Sequence, residues 1–300
     1  MNKIENFNLL VDKAMSIPGR ALMRPAVAKE LLHYDILFCL DKDGLFDQLT
    51  FQGGTSLRLC YGAPRFSEDL DFAGGREFSS ANLIKMKNCL EKYIGERYGL
   101  EITVKEPKDM AALPHSQDIK VDKWQISITT SPEKKDIPKQ KIKIEVANIP
   151  VYSRAPQALQ QNYEFLPDGY NDILIMTETR DEIMADKLIA LVSCQRYIRY
   201  RDIWDLCWLT QQSAKINAKF VLAKIQDYQE KNYLEKLKEL MGKIESIVRG
   251  KEFQNEMTRF IPINILEKTL YKEIFVSFLI NTNLSLLQQV EQITDAGLRI

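Results

Sequence analysis

Asp69 and Asp71 stand two residues apart in the run Ser67-Glu68-Asp69-Leu70-Asp71-Phe72, which reads as a strand. Side chains alternate faces along a strand, so both carboxylates emerge on one side while Leu70 and Phe72 turn to the core. Two carboxylates so close repel each other unless a cation lies between them, and hard oxygen ligands suit Mg²⁺ or Mn²⁺. Upstream, Leu49-Thr50-Phe51 runs into Gly53 and Gly54, whose missing side chains let the backbone approach a bulky anion. Thr55 and Ser56 add hydroxyls and open a short helical stretch, Ser56 to Tyr61, whose free N–H groups point at that anion. Arg65 follows as a balancing charge. A phosphate cradle followed by a metal-binding acid pair is apparatus for phosphoryl or nucleotidyl transfer. Either fragment alone is common and can mean nothing; here they form one ordered unit joined by Arg65-Phe66-Ser67.

The surrounding pattern supplies elements to hold that unit. From Pro25, Val27, Leu31, Leu32, Tyr34, Ile36, Leu37 and Leu40 form an apolar helical stripe, and Ser80 and Asn82 cap a helix expected to run to Tyr98 and stop at Gly99. Leu100 to Lys105, Asp122 to Thr130 and Lys141 to Val146 read as strands which, with the Asp69 strand, make a mixed sheet. Within the last of them Glu145 shares a face with Lys143, either as a third carboxylate of the site or as a solvated strand residue. Lys134, Lys135, Lys139, Lys141 and Lys143 cluster around the preceding turn, read as solvated charges with RNA-phosphate contact as the alternative. Ile173 to Met176 is a further strand. Thr179 starts a helix, with Glu182 completing a capping box. The run Arg196-Tyr197-Ile198-Arg199-Tyr200-Arg201 mixes guanidiniums and aromatics as phosphates and stacked bases require, or is an ordinary helix-to-helix turn. Beyond Ile216 apolar residues recur at helical spacing, Gly250 and Pro262 bounding successive helices. This predicts an α/β domain over residues 1–172 and a mainly helical domain over 173–300, with the site in the cleft between them.

The Gly-Gly turn followed by Asp-x-Asp resembles the nucleotidyltransferase fold. More narrowly, GGTSL, RFSEDLDF, DKL and RDIWDL resemble the AbiEii/AbiGii toxin family of phage-defence and toxin–antitoxin systems, over about Arg24 to Leu209. The resemblance implies an α/β (α+β) mixed sheet with flanking helices and a helical C-terminal domain. It implies transfer of a nucleoside monophosphate from a nucleoside triphosphate, with RNA, the tRNA 3′ end in some relatives, as acceptor and a cognate antitoxin as partner. It also assigns residues. Asp69 and Asp71 are metal ligands, with Glu145 in the apolar-acid-apolar position of a third, and Gly53, Gly54, Thr55 and Ser56 contact phosphates. Lys187, otherwise a surface lysine paired with Asp186 or Asp181, becomes a counter-charge to the triphosphate. Asp202, otherwise a helix N-cap, becomes functional, although Ile203 is an extra residue before the aromatic of the Arg-Asp-aromatic-Asp-Leu pattern. A protein or small-molecule acceptor, such as an aminoglycoside, and a non-catalytic nucleotide-binding or antitoxin-docking module are the rival readings.

Composition bounds the rest. Lys plus Arg and Asp plus Glu number 41 each, so no global positive field marks a nucleic-acid binder and any such surface is local. No apolar stretch has the length of a membrane span, and the N-terminus lacks a signal-peptide core, which predicts a cytoplasmic protein. The five cysteines are scattered without Cys-x-x-Cys spacing, and the two histidines are His33 and His115, which argues for reduced thiols and against zinc. His33, inside a helical run, and His115, beside Pro114 in a loop, are both read as non-catalytic.

Overall fold

Trp124, Ile126 and Ile128 are buried and alternate with Lys123, Gln125 and Ser127; Ile142, Ile144 and Val146 alternate in the same way with Lys143 and Glu145. Each strand thus turns one apolar face to a core and leaves a polar face. The computed structural model describes residues 4–108, 119–133, 136 and 138–297. His115, Lys134 and Lys135 lie outside them. The chain divides into two compact units, Met1–Thr177 and Glu178–Ile300.

The first unit runs α1 (Phe7–Met15), α2 (Arg24–Lys42), β1 (Thr50–Gln52), α3 (Gly53–Leu59), β2 (Leu70–Ala73), a 3₁₀ turn (Ser80–Leu83), α4 (Met86–Tyr98), β3 (Ile102–Lys105), β4 (Val121–Ile128), β5 (Gln140–Ala147), β6 (Arg154–Ala158) and β7 (Leu174–Glu178). The strands form one mixed sheet in the order β3-β4-β5-β2-β1-β7-β6. β2 lies inside it, antiparallel to β1 and parallel to β5, while β4 pairs antiparallel with both β3 and β5 and β1 pairs parallel with β7. The sheet and its flanking helices are the mixed α/β architecture expected.

Several boundaries differ from expectation for local reasons. α3 begins at Gly53, so the two glycines are its first turn instead of a loop ahead of it. β2 begins at Leu70, leaving Asp69 just outside the strand. Ser79, not Ser80, caps the segment before α4: its hydroxyl accepts from the Ala81 N–H, and Ser80 is buried against Asp122. Thr179 is the N-cap of the following helix but makes no side-chain cap, and the Glu182 carboxylate pairs with Lys224. β6 had no signal, its Pro156 and polar residues masking an outer strand. Cys39 and Cys89, on the packed helices α2 and α4, are joined as a disulfide, which corrects the expectation of thiols throughout; Cys60, Cys194 and Cys207 are free.

α2 starts with Pro25 in its first turn and packs against α1, α4 and β5. It also carries buried polar residues that reach α3 and the loops at Glu68 and Tyr163. Glu30 takes Arg58 on both carboxylate oxygens, at 2.7 and 3.0 Å, together with the Tyr163 hydroxyl at 2.9 Å. One turn on, His33 donates from Nε2 to the Glu68 carbonyl at 3.0 Å, and Lys29 pairs with the Glu68 carboxylate at 2.7 Å. Glu68 is thereby gripped from i and i+4 positions of one helix face, immediately before Asp69.

The second unit is helical: α5 (Arg180–Ser193), α6 (Tyr200–Gln211), α7 (Ala218–Asp227), α8 (Tyr233–Arg249), α9 (Lys251–Thr258), α10 (Ile263–Leu266) and α11 (Glu273–Gly297). Leu237, Ile244 and Val248 form the buried stripe of α8, which packs on α11. The Lys224 ammonium is buried among Glu182 at 2.9 Å, Asp186 at 3.0 Å and Glu178 at 3.5 Å. One ammonium cannot offset three carboxylates, and burial together with the Asp186 charge pushes the Glu178 carboxyl well above the usual carboxylate range.

Burial holds the His33 imidazole down to about 4, against the raising effect of its bond to Glu68. An unfolded histidine titrates near 6.5, so between about pH 6.5 and 4 the unfolded chain binds the extra proton. Stability is therefore expected to fall as pH drops through that window, by up to about 3 kcal/mol from this residue. His33→Gln keeps a donor for the Glu68 carbonyl and removes the proton site. Urea melts at pH 7 and pH 4.5 should show a smaller pH-dependent loss in this variant than in the parent chain.

Candidate active site

The parallel pairing of β2 with β5 sets Leu70 opposite Ile144, Asp71 opposite Glu145 and Phe72 opposite Val146. The apolar pairs are buried. Asp71 and Glu145 therefore share the other face, on adjacent strands. Asp69, two residues before Asp71, accepts the Lys143 backbone N–H on Oδ1 at 3.2 Å and so extends the ladder by one side-chain bond. Three carboxylates thus emerge on one sheet face, from the neighbouring strands β2 and β5 and from the residue that leads into β2. Gln52 of β1, opposite Asp71, borders them on the other side.

Gly53 adopts φ +77°, and a Cβ there would lie 2.7 Å from Asp71 Oδ2. Gly54 is equally constrained: its Cβ would lie 2.5 Å from an Arg65 guanidinium nitrogen and 3.1 Å from Ser67 Oγ. The paired glycines are thus required by the close approach of the turn to Asp71 and Arg65. Thr55 and Ser56 are buried. Their hydroxyls donate to the Asp69 and Gly53 carbonyls, the latter at 2.9 Å, so they brace the turn. Arg65, also buried, donates to the Phe66 carbonyl at 2.7 Å. What this turn offers a ligand is backbone beside the acid cluster.

Two lysines reach the same carboxylates. Lys123 Nζ lies 3.0 Å from Glu145 Oε1, and Lys143 Nζ lies 3.7 Å from Asp69 Oδ2. The acid cluster therefore already attracts positive charge, as a cation site of hard oxygen donors should. Lys143 was legible as a member of a lysine cluster and as sharing a strand face with Glu145, but not as a partner of Asp69. Lys123 was not singled out, although its place opposite Glu145 follows once β4 and β5 are paired.

Lys187 and Asp202 meet in the second unit, and the surface-lysine and N-cap readings of them both fail. Lys187 is buried and pairs with Asp202 at 2.8 Å and Asp205 at 2.7 Å, not with Asp181 or Asp186. Asp202 lies inside α6, whose N-cap is Arg199, so the N-cap reading fails; its second oxygen takes the Arg199 guanidinium. Burial opposes the Asp202 charge, yet Lys187 and Arg199 outweigh it and hold the carboxyl well below the usual range. Asp205, three residues after Asp202 on the same helix face, is the member of this group that was missed. Arg201 pairs with Glu256 at 3.5 Å and stacks over Phe260, and Tyr200 packs on Phe253, so part of the Arg-Tyr run serves packing. Among the described residues, the carboxylates whose oxygens converge most closely are Glu178, Glu182 and Asp186, and Lys224 fills that group.

Gly53→Ala should therefore combine backbone strain with a clash on Asp71, and a loss of about 1–3 kcal/mol is expected in denaturant melts. Gly44→Ala, also at positive φ but with nothing within 4 Å of the added Cβ, should lose less and serves as the strain-only control.

The sequence matches the family described as nucleotidyl transferase AbiEii toxin, type IV toxin–antitoxin system, over residues 35–278. No curated protein matches. Among solved structures the chain is similar to MenT4, a nucleotidyltransferase toxin from Mycobacterium tuberculosis, at 21% identity and a TM-score of 0.50, covering 82% of this chain and 74% of that one. It also matches JHP933 from Helicobacter pylori, at 16% identity and a TM-score of 0.44 over 91% of this chain and 95% of that one. A nucleotidyltransferase from H. pylori, described as putative, matches at 16% identity and a TM-score of 0.47, over 89% and 95%. The MenT4 likeness speaks for fold alone; the family match spans most of the chain, including the carboxylate face, the Gly-Gly turn and the Lys187 cluster, and on it the chain belongs to the AbiEii nucleotidyltransferase toxins of type IV toxin–antitoxin systems.

Proposed function

We propose that the protein transfers a nucleoside monophosphate from a nucleoside triphosphate to RNA, the tRNA 3′ end being the favoured acceptor, with Mg²⁺ held by Asp69, Asp71 and Glu145. The observation that carries this reading is the β2–β5 register, which sets Asp71 opposite Glu145 with Asp69 beside them. The donor set fits a hard divalent ion, and the clearance that only glycine leaves at position 53 keeps Asp71 open to the turn. When bound, the metal would lower the proton affinity of the acceptor hydroxyl and offset the triphosphate charge. The acceptor oxygen forms a bond to the α-phosphorus, the bond from that phosphorus to the bridging oxygen breaks, pyrophosphate leaves, and the hydroxyl proton passes to solvent or a nearby base. Gly53 and Gly54 present backbone to the phosphates, and Arg65, bracing the turn from behind, adds positive charge near it. Thr55 and Ser56 hold the turn in shape. Lys187, buried and ion-paired with Asp202, is assigned to the triphosphate, and Asp202 to the nucleotide or acceptor. The cognate antitoxin would hold the activity in check.

The test is incubation with each labelled triphosphate, Mg²⁺ and total cellular RNA, followed by separation of RNA, protein and small-molecule fractions. Label in RNA is the expected result. Label only in protein or small molecules overturns the acceptor assignment, and binding without pyrophosphate release overturns catalysis. Asp69→Asn, Asp71→Asn and Glu145→Gln should each lower transfer at least about a hundredfold, since metal charge stabilisation is worth several kcal/mol. Their thermal stability should hold or rise, because a like charge is removed from a crowded acid group.

Lys187→Ala has a different expected signature. It removes the ammonium shared by two buried carboxylates, of which Asp202 keeps Arg199, so a loss of about 3–5 kcal/mol in stability should accompany any loss of nucleotide affinity. Lys187→Ala combined with Asp205→Asn should recover part of that stability. Nucleotide affinity measured in the double variant, by calorimetry, then separates the phosphate role from the structural one.

A further inference from the structure

The sheet face that holds the acid cluster also carries cations that nucleotidyl transfer, as described, does not use. Lys105, Lys123, Lys141 and Lys143 are all exposed on it, while Val104, Trp124, Ile142 and Ile144 fill the opposite face. Register arranges them in rows. Lys105, Gln125 and Lys143 face one another across β3, β4 and β5; Thr103, Ser127 and Lys141 form the next row; Lys123 faces Glu145, which faces Asp71. Lys105 and Lys141 have no carboxylate partner among the described residues, whereas Lys123 and Lys143 lean onto Glu145 and Asp69. Those two pairs are of the weak kind: the lysine side chains remain 57% and 49% exposed, against 7% for Lys187. A divalent ion on the same oxygens would repel both ammoniums and displace them.

We propose that Lys123 and Lys143 are exchangeable counter-ions of the carboxylate site. They neutralise Glu145 and Asp69 in the metal-free protein, are released when a divalent ion binds, and then join Lys105 and Lys141 in gripping the phosphodiester backbone of the RNA acceptor. This rests on the reading of Asp69, Asp71 and Glu145 as metal ligands. Among the described residues of β3, β4 and β5 this face carries ammoniums, polar side chains and Val121 but no aromatic, so it grips phosphates and reads no bases. Metal loading and acceptor binding are thereby coupled: the carboxylates cannot hold their lysines and the ion together, and the freed lysines lie beside the point where the acceptor hydroxyl must arrive.

The full chain is titrated with Mn²⁺ by calorimetry as the parent, as Asp71→Asn and as the double variant Lys123→Gln with Lys143→Gln. A fluorescent single-stranded RNA is then titrated by anisotropy with saturating Mn²⁺ or with chelator. The double variant should bind Mn²⁺ at least about fivefold tighter, since two competing charges are gone. Asp71→Asn should bind it at least about tenfold more weakly. Mn²⁺ should tighten RNA binding by the parent at least about threefold, less in the double variant, and Lys105→Gln with Lys141→Gln should weaken RNA binding and lower its salt slope by about one per lysine. If Asp71→Asn leaves Mn²⁺ affinity unchanged, the metal-site reading falls. If Asp71→Asn weakens Mn²⁺ binding but the lysine double variant does not tighten it, the exchange proposal falls and the metal site stands. Equal Mn²⁺ gain in RNA binding by parent and double variant overturns the release of lysines to the acceptor.

Discussion

The constraint on which the site depends is the pairing of β2 with β5. Side chains on a strand have a period of two, so a slip of one residue would carry Glu145 to the core and Ile144 to the open face. Leu70, Phe72, Ile144 and Val146, all buried, forbid that slip. The carboxylate geometry is therefore stabilised by residues that take no part in chemistry. Around this pairing the rest falls into place: Thr55 ties α3 to the Asp69 carbonyl, α2 holds Glu68 through His33 and Lys29, and Gly53 leaves the space Asp71 occupies.

The protein balances its acid groups in two ways. In the second unit the compensation is buried and permanent: Lys224 among three carboxylates, and Lys187 between Asp202 and Asp205. Such pairs add little net stability, because desolvation cancels much of the attraction, but removing one partner is costly. On the sheet face the compensation is solvated and weak, through Lys123 and Lys143. A site that must exchange its cation requires the second arrangement and is incompatible with the first.

Strong periodicity and turn chemistry made much of this readable in advance. The alternation in 121–128 and 140–147, the stripe of α2 and the Asp-x-Asp spacing follow local rules, and the structure shows elements there. What local rules could not supply was pairing. Glu145 stood open between ligand and solvated residue because its meaning depends on lying beside Asp71, a contact 74 residues away in sequence. Lys187 was weighed against Asp181 and Asp186, its neighbours along the chain, whereas the partners are on the next helix. Thr55 and Ser56 were read as phosphate hydroxyls because burial is invisible in a short motif, and the Cys39–Cys89 bridge depends on the packing of two helices 50 residues apart.

The buried histidine shows how far this dependence on pairing extends from the chemistry. His33 is 1% exposed and must be neutral to remain there. A neutral imidazole offers one N–H, and Nε2 spends it on the Glu68 carbonyl. That carbonyl belongs to the peptide that leads into Asp69, whose side chain then takes the Lys143 N–H at the end of the β2–β5 ladder. Asp69 is outside the strand and lacks the two-sided backbone pairing that fixes Asp71, so its position is held by its neighbours: the grip on Glu68 behind it, the Thr55 hydroxyl on its own carbonyl and one bond from its carboxylate. A carboxylate held in this way has one oxygen committed to the sheet and the other facing Lys143, which leaves a single oxygen to offer an incoming ion. Asp69 is thus the carboxylate of this face most sensitive to the set of α2, and Asp71, locked between β1 and β5, the least.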